Sequence, residues 1–593
     1  MNQRLKELRN IMSSNKWDMV FIPCSDPHLS EYIPERWKTL AWISGFTGST
    51  GNGIVTKDFA GVWTDSRYFI QAEEQMRNTE FTFVKLLIPH TPEYIQWICD
   101  TLPSGSTVAL VGSVVSFNMF QLMNENFSRK GIKLIAVDDF WGKIWNDRPA
   151  IPGNKIFEHE LKYSGRSRTE KINEIRSELK KNECDAHVVS ALDDIAWTLN
   201  LRGGDIKYNP LFLAFLYIDF DRVVLFANLD SIDSELKNKL QQEKIILAGY
   251  ETINTFLSGV KNVKRLLIDG RKTTIALSQA LSQTITVVNE INPAIKLKAI
   301  KNKIEIENLR STMIKDGISM VKFFIWMEES IGKEKLTEQI IVDKILEFRK
   351  MHPDFTEPSF ATIVGYKAHA ALPHYAPSPE TDCELNQDGI LLIDSGGQFY
   401  GGTTDITRVV SFGNLKSGEK NDYTAVLKGL IALTTVIFPK GATSASLDAI
   451  ARRPIWDAGK HYSHGTGHGV GYFLGVHEGP QAFGGGATAL PSTIMQTGMV
   501  TTIEPGIYNV GEYGVRLENV VLTVPHKTIN GLEFLCFETL TLCPFETPLI
   551  NKEMLSKQEI DWLNNYHQWV YNTLALHLNK KECEWLKGKT KSI

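Results

Sequence analysis

Four short passages in the C-terminal half concentrate residue types able to hold cations and move protons. The first runs Leu391-Leu-Ile-Asp-Ser-Gly-Gly397 and then Gly401-Gly-Thr-Thr-Asp-Ile-Thr-Arg408. Asp394 closes an apolar strand and Asp405 opens the next, and a glycine-rich hairpin between them would bring both carboxylates to one face. Two ionised carboxylates side by side repel unless one takes a proton or a cation sits between them. Taken alone, such a pair is better read as two turn-forming aspartates.

The second passage shifts that balance. In His461-Tyr-Ser-His464-Gly-Thr-Gly-His468-Gly-Val-Gly471, alternating glycines cannot propagate a helix, so this is not the helical H-E-x-x-H zinc motif, whose glutamate is also absent. Nor does it follow the strand–loop–helix context of a dinucleotide-binding loop. Glycines beside His464 and His468 let backbone and ligand approach closely. The third passage, Val476-His477-Glu478-Gly479-Pro480, adds a further histidine.

The fourth passage is Thr502-Ile-Glu504-Pro-Gly-Ile-Tyr508, followed by Gly514-Val-Arg-Leu-Glu518-Asn-Val-Val521. Glu504 ends an apolar run, and Glu518 is expected within a Val/Leu strand, where an inward carboxylate is costly unless paired or metal-bound. Asp394, Asp405, His468, Glu504 and Glu518 together make an oxygen-rich set suited to two hard divalent ions. Mn²⁺ suits it best, with Zn²⁺, Co²⁺ and Fe²⁺ as alternatives. Two ions about 3.5–4 Å apart can hold a hydroxide and clamp a scissile carbonyl. The spacing therefore points to a dinuclear metallohydrolase.

Positioning such a set needs a substantial scaffold, and the 593 residues supply one. Hydrophobic residues form 43% and charged residues 22% of the chain, enough apolar material for several cores, which excludes a disordered chain. A net charge of −4 argues against a coat for nucleic acid or for an acidic membrane surface. Leu5-Lys-Glu-Leu-Arg-Asn-Ile-Met12 aligns with Ile172-Asn-Glu-Ile-Arg-Ser-Glu-Leu179, and Asp18 with Asp185, each aspartate preceding an apolar run. Ala41-Trp42 likewise resembles Ala196-Trp197. Helix, turn and buried strand repeat, predicting two related α/β domains.

Proline and glycine between Asn146 and Glu160 mark a linker, and Asn292-Pro293 a second junction. The expected domains are residues 1–152 and 153–299, both α/β, and 300–593, an α+β catalytic domain with a C-terminal helical extension. Ile306, Leu309, Met313, Gly317, Val321 and Phe324 predict a long amphipathic helix opening the third. Ser556 and Glu559 form a capping-box pattern ahead of a helix whose Leu563, Val570, Leu574 and Leu578 are expected to pack on the body.

At these residues the sequence resembles the pita-bread metallopeptidases, and among them the long, three-domain Xaa-Pro aminopeptidases. The likeness rests on D-S-G…T-T-D-x-T-R, H-G-T-G-H-G-V-G, V-H-E-G-P, E-P-G-x-Y and R-x-E-N-V. It extends through Ser30-Glu-Tyr-Ile33, Trp63-Thr-Asp-Ser-Arg-Tyr-Phe69 and Ala196-Trp-Thr-Leu-Asn-Leu-Arg-Gly203.

The resemblance implies a pita-bread catalytic domain and release of the first residue from peptides with proline second, through a metal-bridged hydroxide. It implies that Asp394 holds one ion, that Asp405 and Glu518 bridge both, and that His468 and Glu504 complete the second. Glu504 would also act as general base. His374, in Pro373-His-Tyr-Ala-Pro377, and His477 would contact substrate and stabilise the tetrahedral intermediate. His464 would line the proline pocket, and Arg67 would reach towards a partner's active site in a homodimer.

A prolidase-like dipeptidase shares the fold and all five ligands, but the doubled N-terminal half favours the longer aminopeptidase. A peptide-binding pseudoenzyme and the metal-free creatine amidinohydrolases are disfavoured because all five ligand positions are present. The first residues lack the apolar core of a secretory leader, no stretch approaches a membrane span, and seven scattered cysteines contain no C-x-x-C. A cytoplasmic protein with reduced thiols is expected.

Overall fold

A computed structural model describes residues 3–88, 91–484, 490 and 492–593. Contacts divide the chain into two units, the first formed by Met1–Glu158, Arg166–Lys207 and Leu211–Ala294, the second by His159–Gly165, Tyr208–Pro210 and Ile295–Ile593.

The first unit holds two six-stranded sheets. Strands β1 (Met19–Pro23), β2 (Asn52–Thr56), β3 (Ala60–Thr64), β4 (Thr82–Lys85), β5 (Thr107–Val111) and β6 (Lys133–Val137) lie in the order β4-β3-β2-β1-β5-β6. Strands β7 (Ala186–Val189), β8 (Ala214–Asp219), β9 (Val223–Ala227), β10 (Ile245–Gly249), β11 (Arg265–Ile268) and β12 (Thr286–Asn289) repeat that order as β10-β9-β8-β7-β11-β12. The first strand of each sheet pairs antiparallel with its second strand and parallel with its fifth.

Each sheet follows a helix, α1 (Gln3–Asn15) or α2 (Arg168–Lys181). Leu5, Leu8 and Met12 are buried on α1, and Ile172, Ile175 and Leu179 on α2, so the apolar positions that align in sequence are the ones that pack. Trp42 and Trp197 both sit on the helix after the first strand of their sheet. The division expected at residue 152 falls between β6 and β7, inside a single contact unit.

In the second unit, α3 (Lys303–Ser330) starts at a capping box made by Asn302 and Glu305. Its stripe is buried at Leu309, Met313, Gly317, Val321 and Phe324, while Ile306 is half-buried. A Cβ at Gly317 would lie 2.7 Å from the Leu542 carbonyl, so glycine admits that backbone against the helix.

Strands β13 (Ile363–Tyr366), β14 (Gly389–Ser395) and β15 (Ile406–Phe412) form an antiparallel three-stranded sheet in that order. The second sheet contains β16 (Phe438–Pro439), β17 (Gly467–Gly469), β18 (Glu478–Phe483) and β19 (Val500–Ile503). After a separate hairpin, β20 (Gly506–Asn509) and β21 (Tyr513–Arg516), it is completed by β22 (Asn519–Ile529) and β23 (Leu532–Thr539). Its order is β16-β23-β22-β19-β17-β18. Helices α4 (Ser417–Thr434) and α5 (Ser444–Asp457) contribute Leu430, Leu447 and Ile455 to the core around these strands.

Helix α6 (Lys557–Leu574) has the expected Ser556/Glu559 capping box and packs on the body through Leu563, Val570 and Leu574, with Leu578 half-buried against the same core. It is followed by α7 (Lys580–Lys589). Among the described residues no helix is long and apolar enough to cross a membrane.

The glycines of β17 are required by close backbone approach: a Cβ at Gly467 would lie 1.9 Å from the Thr502 carbonyl oxygen, and one at Gly469 would lie 2.1 Å from that of Glu478. Gly467→Ala is expected to cost about 1–3 kcal/mol by overpacking. Gly588→Ala, on α7 with nothing within 4 Å, is expected to be neutral or to stabilise by up to about 1 kcal/mol. Thermal midpoints of the two variants check this, and the reverse order would contradict it.

Candidate metal centre

Strand ends and strand register bring the five candidate ligands together. Asp394 lies in β14 opposite Thr407, and Asp405 immediately precedes β15. Glu504 follows the last residue of β19, with its N–H donating to the Thr466 carbonyl at 2.7 Å. His468 is the middle residue of β17. Glu518 is not inside a strand, as the apolar pattern had suggested: it occupies the break between β21 and β22, where its N–H donates to the Thr407 carbonyl at 3.1 Å. That bond fastens the three-stranded sheet to the larger one and turns the Glu518 side chain towards Thr407, whose hydroxyl donates to Glu518 Oε2 at 2.8 Å.

Asp405, His468 and Glu518 offer ligand atoms that all lie within 4.8 Å of one another. His468 Nε2 is 3.5 Å from Asp405 Oδ2 and 3.5 Å from Glu504 Oε1. Its Nδ1 faces the Gly469 carbonyl at 3.0 Å, a partner that can only accept. The proton therefore belongs on Nδ1, leaving the Nε2 lone pair for a cation.

Of the four carboxylates, Asp394 is paired with a buried guanidinium, that of Arg516. Arg516 donates to Asp394 Oδ2 at 2.5 Å, to the Tyr508 hydroxyl at 2.8 Å and to Thr407 Oγ1 at 3.3 Å. Burial first, and then the neighbouring carboxylates, hold Asp405 and Glu518 well above the usual carboxylate range. Burial also pushes Glu504 up to about 7, with Asp394 adding to the rise and Arg516 and His477 opposing it. Buried like charges of this kind are stable only when neutralised. The buried Asp394 Oδ1 has no hydrogen-bond partner. An acceptor-only atom left open beside this cluster, and a donor set of carboxylates plus one imidazole, fit divalent cations.

The other candidates are placed differently. His464 is half-buried, with Nδ1 facing the Gly465 carbonyl at 2.7 Å and Nε2 facing the Tyr508 hydroxyl at 2.8 Å. Burial, then the Arg516 charge, lowers its pKa to about 3, so the ring is neutral. Because Arg516 donates to the Tyr508 oxygen, the Tyr508 proton is free to go to His464 Nε2. The ring centroids of His477 and His468 are 4.3 Å apart and nearly perpendicular. The residue after His477, Glu478, is buried and held by Lys301 at 2.5 Å, with Lys298 at 3.9 Å. His374 is exposed on the turn that follows a short helical segment, Lys367–Ala371. Arg67 belongs to the first unit, where it pairs with Asp65 at 2.7 Å and donates to Thr50 Oγ1 at 3.2 Å.

Four participants carried no assignment from sequence. Arg516 and Tyr508 stood inside the quoted motifs, and their presence there was the available signal. Asp448 and Arg452, on α5, carried none. Asp448 accepts a hydrogen bond from Thr466 Oγ1, and Arg452 donates to the carbonyls of Tyr462 at 2.9 Å and His464 at 2.8 Å. Together they hold the loop that bears His464.

Comparison with known proteins agrees with this geometry. Residues 4–143 and again 147–305 match the family described as creatinase/prolidase N-terminal domain. Residues 307–525 match metallopeptidase family M24, and residues 533–593 its C-terminal region. Fold and site thus define an M24 metallopeptidase with a doubled creatinase-type N-terminal region.

The chain is 36% identical to a probable Xaa-Pro aminopeptidase P of Coprinopsis cinerea, covering 100% of this chain and 98% of that one. It is 35% identical to Xaa-Pro aminopeptidase 1 of Dictyostelium discoideum, covering 100% and 96%. The crystal structure of X-prolyl aminopeptidase from Caenorhabditis elegans, a cytosolic enzyme with a di-nuclear active site, superposes with a TM-score of 0.94 at 29% identity, over 100% of this chain and 99% of that one. Within the M24 class, the chain belongs to the Xaa-Pro aminopeptidase P family.

The raised carboxylate pKa values have a consequence for stability. The metal-free fold binds more protons than the unfolded chain, so its stability falls as pH rises from about 4.5 to about 7, the window set by Glu504. Divalent ions displace those protons. The gain in thermal midpoint on adding Mn²⁺ to chelator-treated protein is therefore expected to grow across that window, and a gain independent of pH would contradict the assignment.

Proposed function

We propose that this chain is a metal-dependent aminopeptidase that releases the first residue from peptides with proline in the second position. The observation that carries the reading is the five-donor cluster, set in a chain whose whole length, doubled N-terminal region included, matches Xaa-Pro aminopeptidases. The Xaa-Pro dipeptidase of Bacillus anthracis shares the fold over only 64% of this chain, with a TM-score of 0.52.

In this reading Asp394 would serve one of two divalent ions, His468 and Glu504 the other, and Asp405 and Glu518 would be shared by both. Mn²⁺ fits the oxygen-rich donors best. Bound ions would supply Lewis acidity and ease the ionisation of water. Glu504 accepts the proton of the attacking water and passes it to the departing proline nitrogen, a role open to a carboxylate beside the reacting atoms. Arg516 orients Asp394. His477 and His374 contact the substrate and steady the oxygen that gains charge at the scissile carbonyl. Neutral His464 lines the proline pocket, where a charged ring would carry a desolvation cost against the apolar pyrrolidine. Proline brings no amide N–H, so this pocket needs no acceptor for one.

The free thiols and the absence of a membrane-spanning helix among the described residues support a cytoplasmic setting. A homodimer in which Arg67 reaches the partner's active site completes the proposal, and rests on the family resemblance alone.

With Mn²⁺ present, the protein is expected to cleave an Arg-Pro-Pro type tripeptide, and Glu504→Ala to lower kcat by at least about 10²-fold. Parallel assays on X-Pro dipeptides, longer X-Pro peptides and X-Ala controls set the specificity. Release from dipeptides alone would make the enzyme a prolidase, and equal rates on X-Ala peptides would overturn the proline preference.

A further inference from the structure

His374 is a proposed substrate contact placed outside the strands that carry the metal-site carboxylates. It stands on an exposed turn, and the rate of a step it assists depends on its placement to within an ångström. One side chain brackets that turn. Glu338, the first residue of a helix that runs to Arg349, is 0% exposed. A carboxylate buried so completely needs donors for both oxygens, and all of its donors come from the stretch around His374. The Tyr366 N–H reaches Oε1 at 2.7 Å, the His369 Nδ1 lies 2.9 Å from Oε1 and 3.0 Å from Oε2, and the Tyr375 hydroxyl donates to Oε2 at 2.7 Å.

We propose that Glu338 is a positioning residue of the peptidase reaction: through His369 on one side and Tyr375 on the other, it clamps the turn that presents His374 to the substrate. The inference rests on the reading of His374 given above and adds the device that holds it.

Three further observations agree. The His369 and Tyr375 rings pack with centroids 4.5 Å apart, so the two jaws of the clamp brace each other. Within the turn, the Leu372 N–H donates to the His369 carbonyl at 3.1 Å and the Tyr375 N–H to the Leu372 carbonyl at 3.0 Å, which makes the segment short and stiff. Its back rests on β21, the strand that ends in Arg516: a Cβ at Gly514 would lie 1.9 Å from the Ala370 carbonyl oxygen. The clamp thus fixes His374 relative to the strand whose arginine grips Asp394.

Tyr375→Phe removes one jaw and leaves the ring in place. The test is a double-mutant cycle on the full-length, Mn²⁺-loaded protein, with Tyr375→Phe, His374→Ala and the pair assayed on an Arg-Pro-Pro tripeptide. Tyr375→Phe is expected to lower kcat about 10-fold with KM within about twofold, and His374→Ala about 100-fold. In the His374→Ala background, Tyr375→Phe should change kcat by less than about twofold, because the jaw then has nothing to position. An equal loss in both backgrounds, or no loss in either, would overturn the proposal.

Hydrogen–deuterium exchange of residues 366–381 separates this failure from failure of the functional reading. Faster exchange of that segment in Tyr375→Phe is expected whether or not the protein cleaves peptides, and unchanged exchange would overturn the clamp. Absence of X-Pro cleavage by the unsubstituted protein, with exchange still accelerated, would overturn the function and leave the clamp standing.

Discussion

Asp394, Asp405, Glu504 and Glu518 repel one another in a site from which water is largely excluded, and Arg516 can neutralise only one of them. That repulsion is the constraint on which the second unit depends. Each carboxylate sits at a strand end or beside a strand break, where backbone hydrogen bonds set its position before any cation arrives: Glu504 N–H on Thr466, Glu518 N–H on Thr407. Arg408, 2% exposed, donates to the Glu518 carbonyl at 2.6 Å, to the Cys543 carbonyl at 2.8 Å and to the Tyr566 hydroxyl at 3.1 Å. It thereby ties the site to the C-terminal helix. Carboxylates held in place in this way suit hard divalent cations.

The same economy runs outward from the cluster. The proposed substrate-facing histidines border buried, paired carboxylates: Glu478 with Lys301 beside His477, and Glu338 with His369 and Tyr375 around His374. His464 is steadied from α5 by Arg452, which grips its carbonyl. The first unit is built on a different logic. Its two sheets repeat one strand order, and apolar helix faces at matched positions supply their packing, with Arg67 as the one residue there drawn into the proposed chemistry.

Much of this was legible in the sequence, for identifiable reasons. The duplication showed because Leu5, Leu8 and Met12 must pack as Ile172, Ile175 and Leu179 do, and helical periodicity preserves that demand. The metal centre showed because carboxylates embedded in apolar runs are anomalous and glycines around His468 forbid a helix. What stayed hidden were choices of partner across long separations. Nothing local in Arg516 says that it will hold Asp394, and nothing in Asp448, Arg452 or Glu338 distinguishes them from solvated helix charges. Glu518 was expected within a strand because valines surround it; tertiary pairing with Thr407 broke the strand there instead.

Cations filling the carboxylate cluster underlie the proposed chemistry, and stoichiometry measures their presence most directly. Chelator-treated protein is dialysed against excess Mn²⁺, freed of unbound ion and subjected to elemental analysis alongside Asp405→Asn. The result expected is about two ions per chain, with clear loss in the variant. A folded protein that retains no Mn²⁺, or whose metal content is indifferent to Asp405, would contradict it.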